Sequence, residues 1–222
     1  TDTERDMIAK VSSKFARTAV LLNVGNIIDM KWVKECNPSA VMYVWQGGQE
    51  GGHGVCDALT GRVNPCGKLT DTIANDIKDY PSTENFGDER KNYYKEDIYV
   101  GYRYFESFAK DKVLYPFGFG LSYTAFEISS AVADVSEDAI TVESVVKNTG
   151  DAAGKEVVEV YAQAPQGMLG KPSRVLAGFA KTQVIAPGEE ERVTIVIPKK
   201  VYASYDDSGV TGHKSAFVLE AG

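Results

Sequence analysis

The chain has 222 residues, 43% of them apolar and 25% charged, with a formal net charge of −7. That length exceeds one typical domain and can bury two modest cores, so two domains are expected. No apolar run approaches a membrane span and no leader-like pattern opens the chain. The acidic balance without a basic cluster excludes nucleic acid and membrane as expected partners and suits a neutral polar ligand.

Three cysteines, Cys36, Cys56 and Cys66, fall in the first third of the chain. An odd count cannot complete a disulfide framework, and none of them has a CxxC neighbour. His53 and His213 are the only histidines, so a zinc site of His/Cys type lacks an ordinary ligand set, and neither metal nor cofactor is expected. Free thiols favour a reducing compartment, and a cytoplasmic location is the expectation.

At the start, Thr3-Glu4-Arg5-Asp6 reads as a capped helix start, with Ile8, Val11 and Phe15 recurring on one face. A helix is predicted over about residues 4–16. Ala19-Val20-Leu21-Leu22-Asn23-Val24 is a continuous apolar run of the kind shown by a strand buried on both faces, and it should run parallel to Val41–Trp45. Between them, Gly25 to Glu35 carries Ile28 and Trp32 at helical spacing and is stopped by Asn37-Pro38. Together these form one βαβ unit with a right-handed crossover.

The centre of the sequence is Val41-Met42-Tyr43-Val44-Trp45-Gln46-Gly47-Gly48-Gln49-Glu50-Gly51-Gly52-His53-Gly54, an apolar run that empties into glycines and then into a helical pattern ending at Gly61. It reads as a buried strand, a tight turn and a helix. Glycines permit positive φ and close approach, and in α/β sheets ligands bind beyond the carboxyl ends of strands. The two carboxyl-end loops, holding Asn23, Trp45 and Gln46, are therefore the candidate rim of a ligand pocket. With only two or three strands before residue 80, the α/β part is small, and the chain is expected to begin inside a larger α/β domain.

Residues 81–123 differ in kind: together with Tyr80 they hold thirteen aromatics, interleaved with Gly, Pro, Asp and Arg and showing little periodicity. A connection this long is functional or a docking surface. Its rings either cement two domains, with Tyr99 to Phe105 and Tyr115 to Tyr123 as the interface, or stack on carbohydrate.

From Thr124 the pattern alternates with period two. Ile140, Val142 and Val146, then Val158, Val160 and Ala162, then Val193, Ile195 and Ile197 mark half-buried antiparallel strands. Turn signals at Asn148-Thr149-Gly150-Asp151, 167–172, Pro187-Gly188 and 206–209 separate them. The spacing reads as an immunoglobulin-like or fibronectin type III sandwich. Its last run, Ser215 to Leu219, is expected to need a further, closing strand. The fold class is thus α/β followed by all-β: a partial α/β domain (1–80), an aromatic connector (81–123) and a β-sandwich lacking its last strand (124–222).

Familiar chemistries fit poorly. There is no G-x-S-x-G, and Gly47-Gly48-x-x-Gly51-Gly52 has neither the spacing nor the distal acid of a dinucleotide loop. Glu50 enters a helix N-terminus, where the dipole favours its ionised form, so it reads as a cap and not as a general acid. His53 either contacts a ligand or packs locally.

Several motifs occur in order: Val44-Trp45-Gln46-Gly47-Gly48-Gln49-Glu50-Gly51-Gly52, Val63-Asn64-Pro65-Cys66-Gly67-Lys68-Leu69, Glu96-Asp97-Ile98-Tyr99-Val100-Gly101-Tyr102-Arg103-Tyr104-Phe105, Leu114-Tyr115-Pro116-Phe117-Gly118-Phe119-Gly120-Leu121-Ser122-Tyr123-Thr124, Lys147-Asn148-Thr149-Gly150 and Gly154-Lys155-Glu156-Val157-Val158. In this series the chain resembles the C-terminal half of a glycoside hydrolase family 3 β-glucosidase, departing at Cys66, where the family commonly has Ser.

The resemblance implies a bacterial-type enzyme built from a (β/α)₈ barrel, an α/β sandwich domain and a fibronectin type III-like domain. It implies retaining hydrolysis of terminal β-D-glucosyl residues with two carboxylates. The nucleophilic Asp and the acid/base Glu would lie on the barrel and on an earlier loop, so no catalytic residue is assigned here and the chain alone is expected to be inactive. Its partners would be the remainder of the enzyme and a β-glucoside or cello-oligosaccharide, with a homo-oligomer also possible. The rival reading is a non-catalytic carbohydrate-binding or adhesion module.

Overall fold

A computed structural model describes residues 1–129 and 131–220. The chain divides into two compact units. The first comprises Thr1–Val63, Asp71–Lys95 and Asp111–Phe117, and the second Asn64–Thr70, Glu96–Lys110 and Gly118–Gly222.

The first unit opens with α1 (Asp2–Lys14). Its cap is Thr1 and not Thr3, because Thr1 and Glu4 form a reciprocal capping box that satisfies backbone N–H groups at both positions. The helix buries none of its residues, and Phe15 and Val11 of the expected apolar face stand exposed. Strand β1 (Ala19–Leu22) runs parallel to β2 (Ala40–Tyr43), in register from Ala19–Ala40 to Leu22–Tyr43. Burial of β1 is one-sided: Leu22 is enclosed while Leu21 is 41% exposed, which corrects the expectation of a strand covered on both faces.

Between the strands, helix is confined to α2 (Trp32–Cys36). The predicted start at Gly25 fails because Asn26 and Asp29 engage their own backbone. Asn26 Oδ1 accepts from Ile27 N–H and Asp29 Oδ1 from Lys31 N–H, local bonds that compete with a helix. Asn37, left-handed at φ 44°, ends α2 before Pro38. Helix α3 (Gly51–Leu59) follows β2 and ends close to Gly61, which has φ 72°, as predicted. Strand β3 (Ile73–Ala74) pairs antiparallel with β4 (Val113–Tyr115). Met30, Trp32, Leu22, Ile73 and Ala74 are buried, and Tyr80 Oη donates to Thr72 O at 2.7 Å and accepts from Ala74 N–H.

The second unit begins, apart from the segment 64–70, with α4 (Tyr102–Phe108), entered through Gly101 at φ 58°. Residues 81–123 therefore do carry elements of their own, since α4, β4 and two short 3₁₀ turns fall within them. Phe105 is 1% exposed, whereas Phe86 and Tyr94 are each 89% exposed. β5 (Phe126–Ile128) and β6 (Val132–Val135) lie along one edge of β7 (Ala139–Asn148). β8 (Val157–Ala162) pairs with β9 (Val175–Lys181), and β10 (Glu190–Pro198) covers the other edge of β7. A short helix α5 (Lys199–Tyr202) leads to β11 (Ser204–Asp206), which pairs antiparallel with β12 (Ala216–Val218).

The core of this sandwich is the predicted alternation made physical. Val142 and Val146 of β7, Val158 of β8, and Val193, Ile195 and Ile197 of β10 form one buried cluster with Ile185. Their neighbours Arg192, Thr194 and Val196 face water. The final run, Ser215 to Leu219, has a partner in β11, a three-residue strand with no sequence signal of its own.

Four of the ordered motifs converge within this second unit. Asn64 Oδ1 accepts from Ser122 Oγ and Tyr123 N–H at 2.8 Å each, and its Nδ2 donates to Ala153 O. Lys68 Nζ donates to Gly120 O at 2.9 Å and forms an ion pair with Glu156 at 2.7 Å. Asn148, fully buried, donates to Ala152 O and Ile185 O and accepts from Thr124 Oγ1 and Gly150 N–H. These motifs work as a polar framework that fixes loops against the sandwich.

Candidate active-site rim

The carboxyl ends of β1 and β2 lie side by side, extended one step by Val44 N–H donating to Leu22 O at 3.0 Å. Beyond that bond the two chains part into the loops that hold Asn23 and Trp45. The side chain of Tyr43, partly buried, donates across to Asn26 O at 2.9 Å and ties the two loops together. Burial pushes its phenol above the usual tyrosine value.

Trp45 turns sharply out of the strand with φ 53°, a left-handed backbone that a large side chain seldom adopts. Its ring stays 4.6 Å from that of Tyr43, tilted at 47°. Gln46 then folds back over the first loop. A Cβ added to Gly25 would stand 2.9 Å from Gln46 Nε2, so the absence of a side chain at Gly25 makes room for the carboxamide. Asn23 is exposed at the end of β1. The structure thus brings Trp45 and Gln46 onto one rim with the 23–26 loop. Asn26 and Tyr43, which sequence reasoning passed over, provide the strut.

The glycine loop behind this rim is only partly a matter of φ. Gly48 has φ 63°, and Gly47 is needed for close approach, since its Cβ would sit 2.8 Å from Gly51 Cα. Gly51 and Gly52 have open space and ordinary helical backbone. Glu50 occupies the N-cap position of α3, but its side chain makes no capping bond. It is drawn instead to His53 Nδ1 at 2.7 Å, in a pair whose side chains are 78% and 87% exposed. The expected carboxylate cap is therefore an exposed side-chain contact that contributes little to stability.

The rim offers an indole face and carboxamides, a combination suited to a neutral ligand with apolar faces and hydroxyls. A single carboxylate on the glycine loop cannot fill both roles of a retaining glycosidase. Among the described residues, no cluster of three or more His, Cys, Asp or Glu is placed to hold a metal ion, and no helix is long and apolar enough to cross a membrane. All three cysteines are free.

Comparison with known proteins agrees with the ordered motifs. The profile of the glycosyl hydrolase family 3 C-terminal domain matches residues 1–123, and that of a fibronectin type III-like domain matches residues 156–222. A "Beta-glucosidase" of Ruminococcus albus is 56% identical over 222 residues, covering 100% of this chain and 23% of its own length. "Beta-glucosidase A" of Butyrivibrio fibrisolvens is 46% identical over 241 residues, covering 100% of this chain and 29% of its own. Among solved structures, a beta-glucosidase from Paenibacillus barengoltzii superimposes with a TM-score of 0.93 at 52% identity, over 100% of this chain and 25% of that one. Beta-glucosidase 3B from Thermotoga neapolitana in complex with glucose gives 0.86 at 42% identity, over 92% of this chain and 30% of that one. The chain spans between a fifth and a third of the length of these relatives. It belongs to glycosyl hydrolase family 3, as that family's C-terminal α/β domain followed by a fibronectin type III-like sandwich.

Proposed function

We propose that this chain is part of a retaining β-glucosidase that removes terminal β-D-glucosyl residues, and that the catalytic barrel and the acid/base loop lie outside these residues. The observation that carries the reading is the match of relatives named beta-glucosidase along the whole chain, at up to 56% identity. In this reading Asn23, Trp45 and Gln46 rim the sugar pocket from the carboxyl-end loops of β1 and β2. The three free thiols favour a reducing, cytoplasmic setting.

The chain alone should not hydrolyse glycosides, because retaining chemistry needs two carboxylates about 5 Å apart across the scissile bond. Glu50 is committed to His53 and stands in solvent. Without the pair, a barrier reduction of at least ~8 kcal/mol has no source. The test is an aryl β-glucoside assay of this chain, before and after addition of the barrel-bearing polypeptide. Turnover only after mixing is the expected result. Turnover by the chain alone, lost in Glu50→Gln, would overturn the assignment.

A further inference from the structure

Within the second unit, a cleft of about 650 Å³ opens between α4 and the loop that joins β8 to β9. We propose that this cleft binds a neutral oligosaccharide. One wall is aromatic: Tyr99 packs 4.9 Å from Phe108, and Phe108 remains 63% exposed. The exposed ring face beside a second ring offers a flat apolar surface on which a ligand can stack. The other wall carries the carboxamides of Gln163 and Gln166, both exposed on the loop.

Charge selects among ligands. Among the described residues of the lining, Lys171 alone is charged. Its Nζ lies 2.5 Å from Glu220 Oε2 and donates to Pro165 O at 3.0 Å, so its cation is already neutralised. What remains is an electrically neutral cleft with one apolar wall and one wall of amides and hydroxyls, within the size range of small-molecule sites. Sugars answer that description: C–H faces stack on rings and hydroxyls pair with carboxamides. The choice of a saccharide over other neutral ligands rests on the glycosidase reading above, whereas the cleft's neutrality and its aromatic wall do not.

The experiment is calorimetric titration of the 222-residue chain with cellotetraose, alongside saturation-transfer NMR. Saturable binding is expected, weakened about tenfold by Phe108→Ala, as loss of one stacked ring implies. Melting temperature should hold, because the ring is mostly solvent-facing. Gln163→Ala, at an exposed position, should weaken binding with no effect on folding and serves if the first variant misfolds. Phe86→Ala, at an exposed ring outside the cleft, should leave this titration unchanged. The proposal is overturned by absence of saturable binding, by equal binding of a polyethylene glycol of similar length, or by binding that survives both Phe108→Ala and Gln163→Ala. Failure of the glycosidase reading is detected separately, by glucoside turnover after mixing with the barrel polypeptide.

Discussion

Lys68 Nζ lies 2.7 Å from Glu156 Oε1, and the two side chains are only 18% and 14% exposed. The pair joins the turn-rich segment 64–70 to the start of β8, and Lys68 also bonds Gly120 O. Breaking such a pair strands the remaining charge in a poorly hydrated site. Lys68→Ala should therefore destabilise the second unit by about 3 kcal/mol, whereas the double change Lys68→Met with Glu156→Leu should cost much less. Urea denaturation of the two variants checks this, and equal losses would contradict it.

Asn148 uses all four of its side-chain hydrogen-bonding positions inside the protein with no exposed surface. Removing the amide leaves the carbonyl of Ala152 and the hydroxyl of Thr124 without it and takes one of two donors from the carbonyl of Ile185. Asn148→Ala should cost at least ~2 kcal/mol. Asn148→Asp should cost more at neutral pH, since a carboxylate would then face two carbonyl oxygens. Denaturant midpoints measured at neutral pH give the order directly.

How much of this was legible in the sequence depends on whether a residue's partner was near or far. The β1–α–β2 order, α3 and the alternation of β7 and β10 follow from local period and turn residues, which is why they emerged where predicted. β9 did not, because Val175-Leu-Ala-Gly-Phe-Ala-Lys181 carries small residues and no clean alternation. The reason lies across the sandwich: a Cβ on Gly178 would stand 2.7 Å from Ile195 Cγ2, so the strand is thinned to let β10 approach. At the rim, Trp45 and Gln46 were visible from the strand-to-glycine transition. Tyr43 and Asn26 were not, since their bond joins positions far apart in sequence.

Asp206 is fully buried and anchors the turn between β11 and β12. Its carboxylate accepts from Thr211 Oγ1 and N–H, Gly209 N–H, Val210 N–H and Ser208 Oγ. These bonds, with Thr211 foremost, hold its pKa far below the usual value. A depressed folded pKa gives stabilisation that is complete above the unfolded value of about 3.9 and is lost as pH falls toward the folded one. Amide exchange in residues 204–218 should therefore be flat from neutral pH down to about 4, after correction for intrinsic rates, and accelerate below it. Asp206→Asn should abolish that acid dependence, and an unchanged profile would sink the assignment.

The glycines around α3 should divide by what surrounds them. Gly54, inside the helix with nothing within 4 Å of an added Cβ, wastes backbone entropy. Gly54→Ala should stabilise the chain by about 0.5–1 kcal/mol. Gly47→Ala should instead destabilise it and displace the loop, because the new methyl would press on the backbone of Gly51 at 2.8 Å. Thermal melts of the two variants are expected to shift in opposite directions.

Trp45 poses the sharpest question about the rim, since a residue kept only for packing should not sit in a strained backbone. Its φ of 53° is costly for a bulky L-residue, by about 1–2 kcal/mol. Against that stands the contact with Tyr43 at 4.6 Å, worth about 0.5–1.5 kcal/mol. Removing the half-buried indole also forfeits its buried area, so Trp45→Gly, which relieves the strain and removes the ring, should lower the melting temperature only modestly. Strained backbone of this kind clusters at functional positions. In the reconstituted enzyme the same variant should lower kcat/KM for an aryl β-glucoside by tenfold or so, about 1.4 kcal/mol of lost transition-state stabilisation, and Trp45→Phe should recover part of it. A large drop in stability with unchanged kinetics would show that the indole serves the core of the first unit and that the rim lies elsewhere.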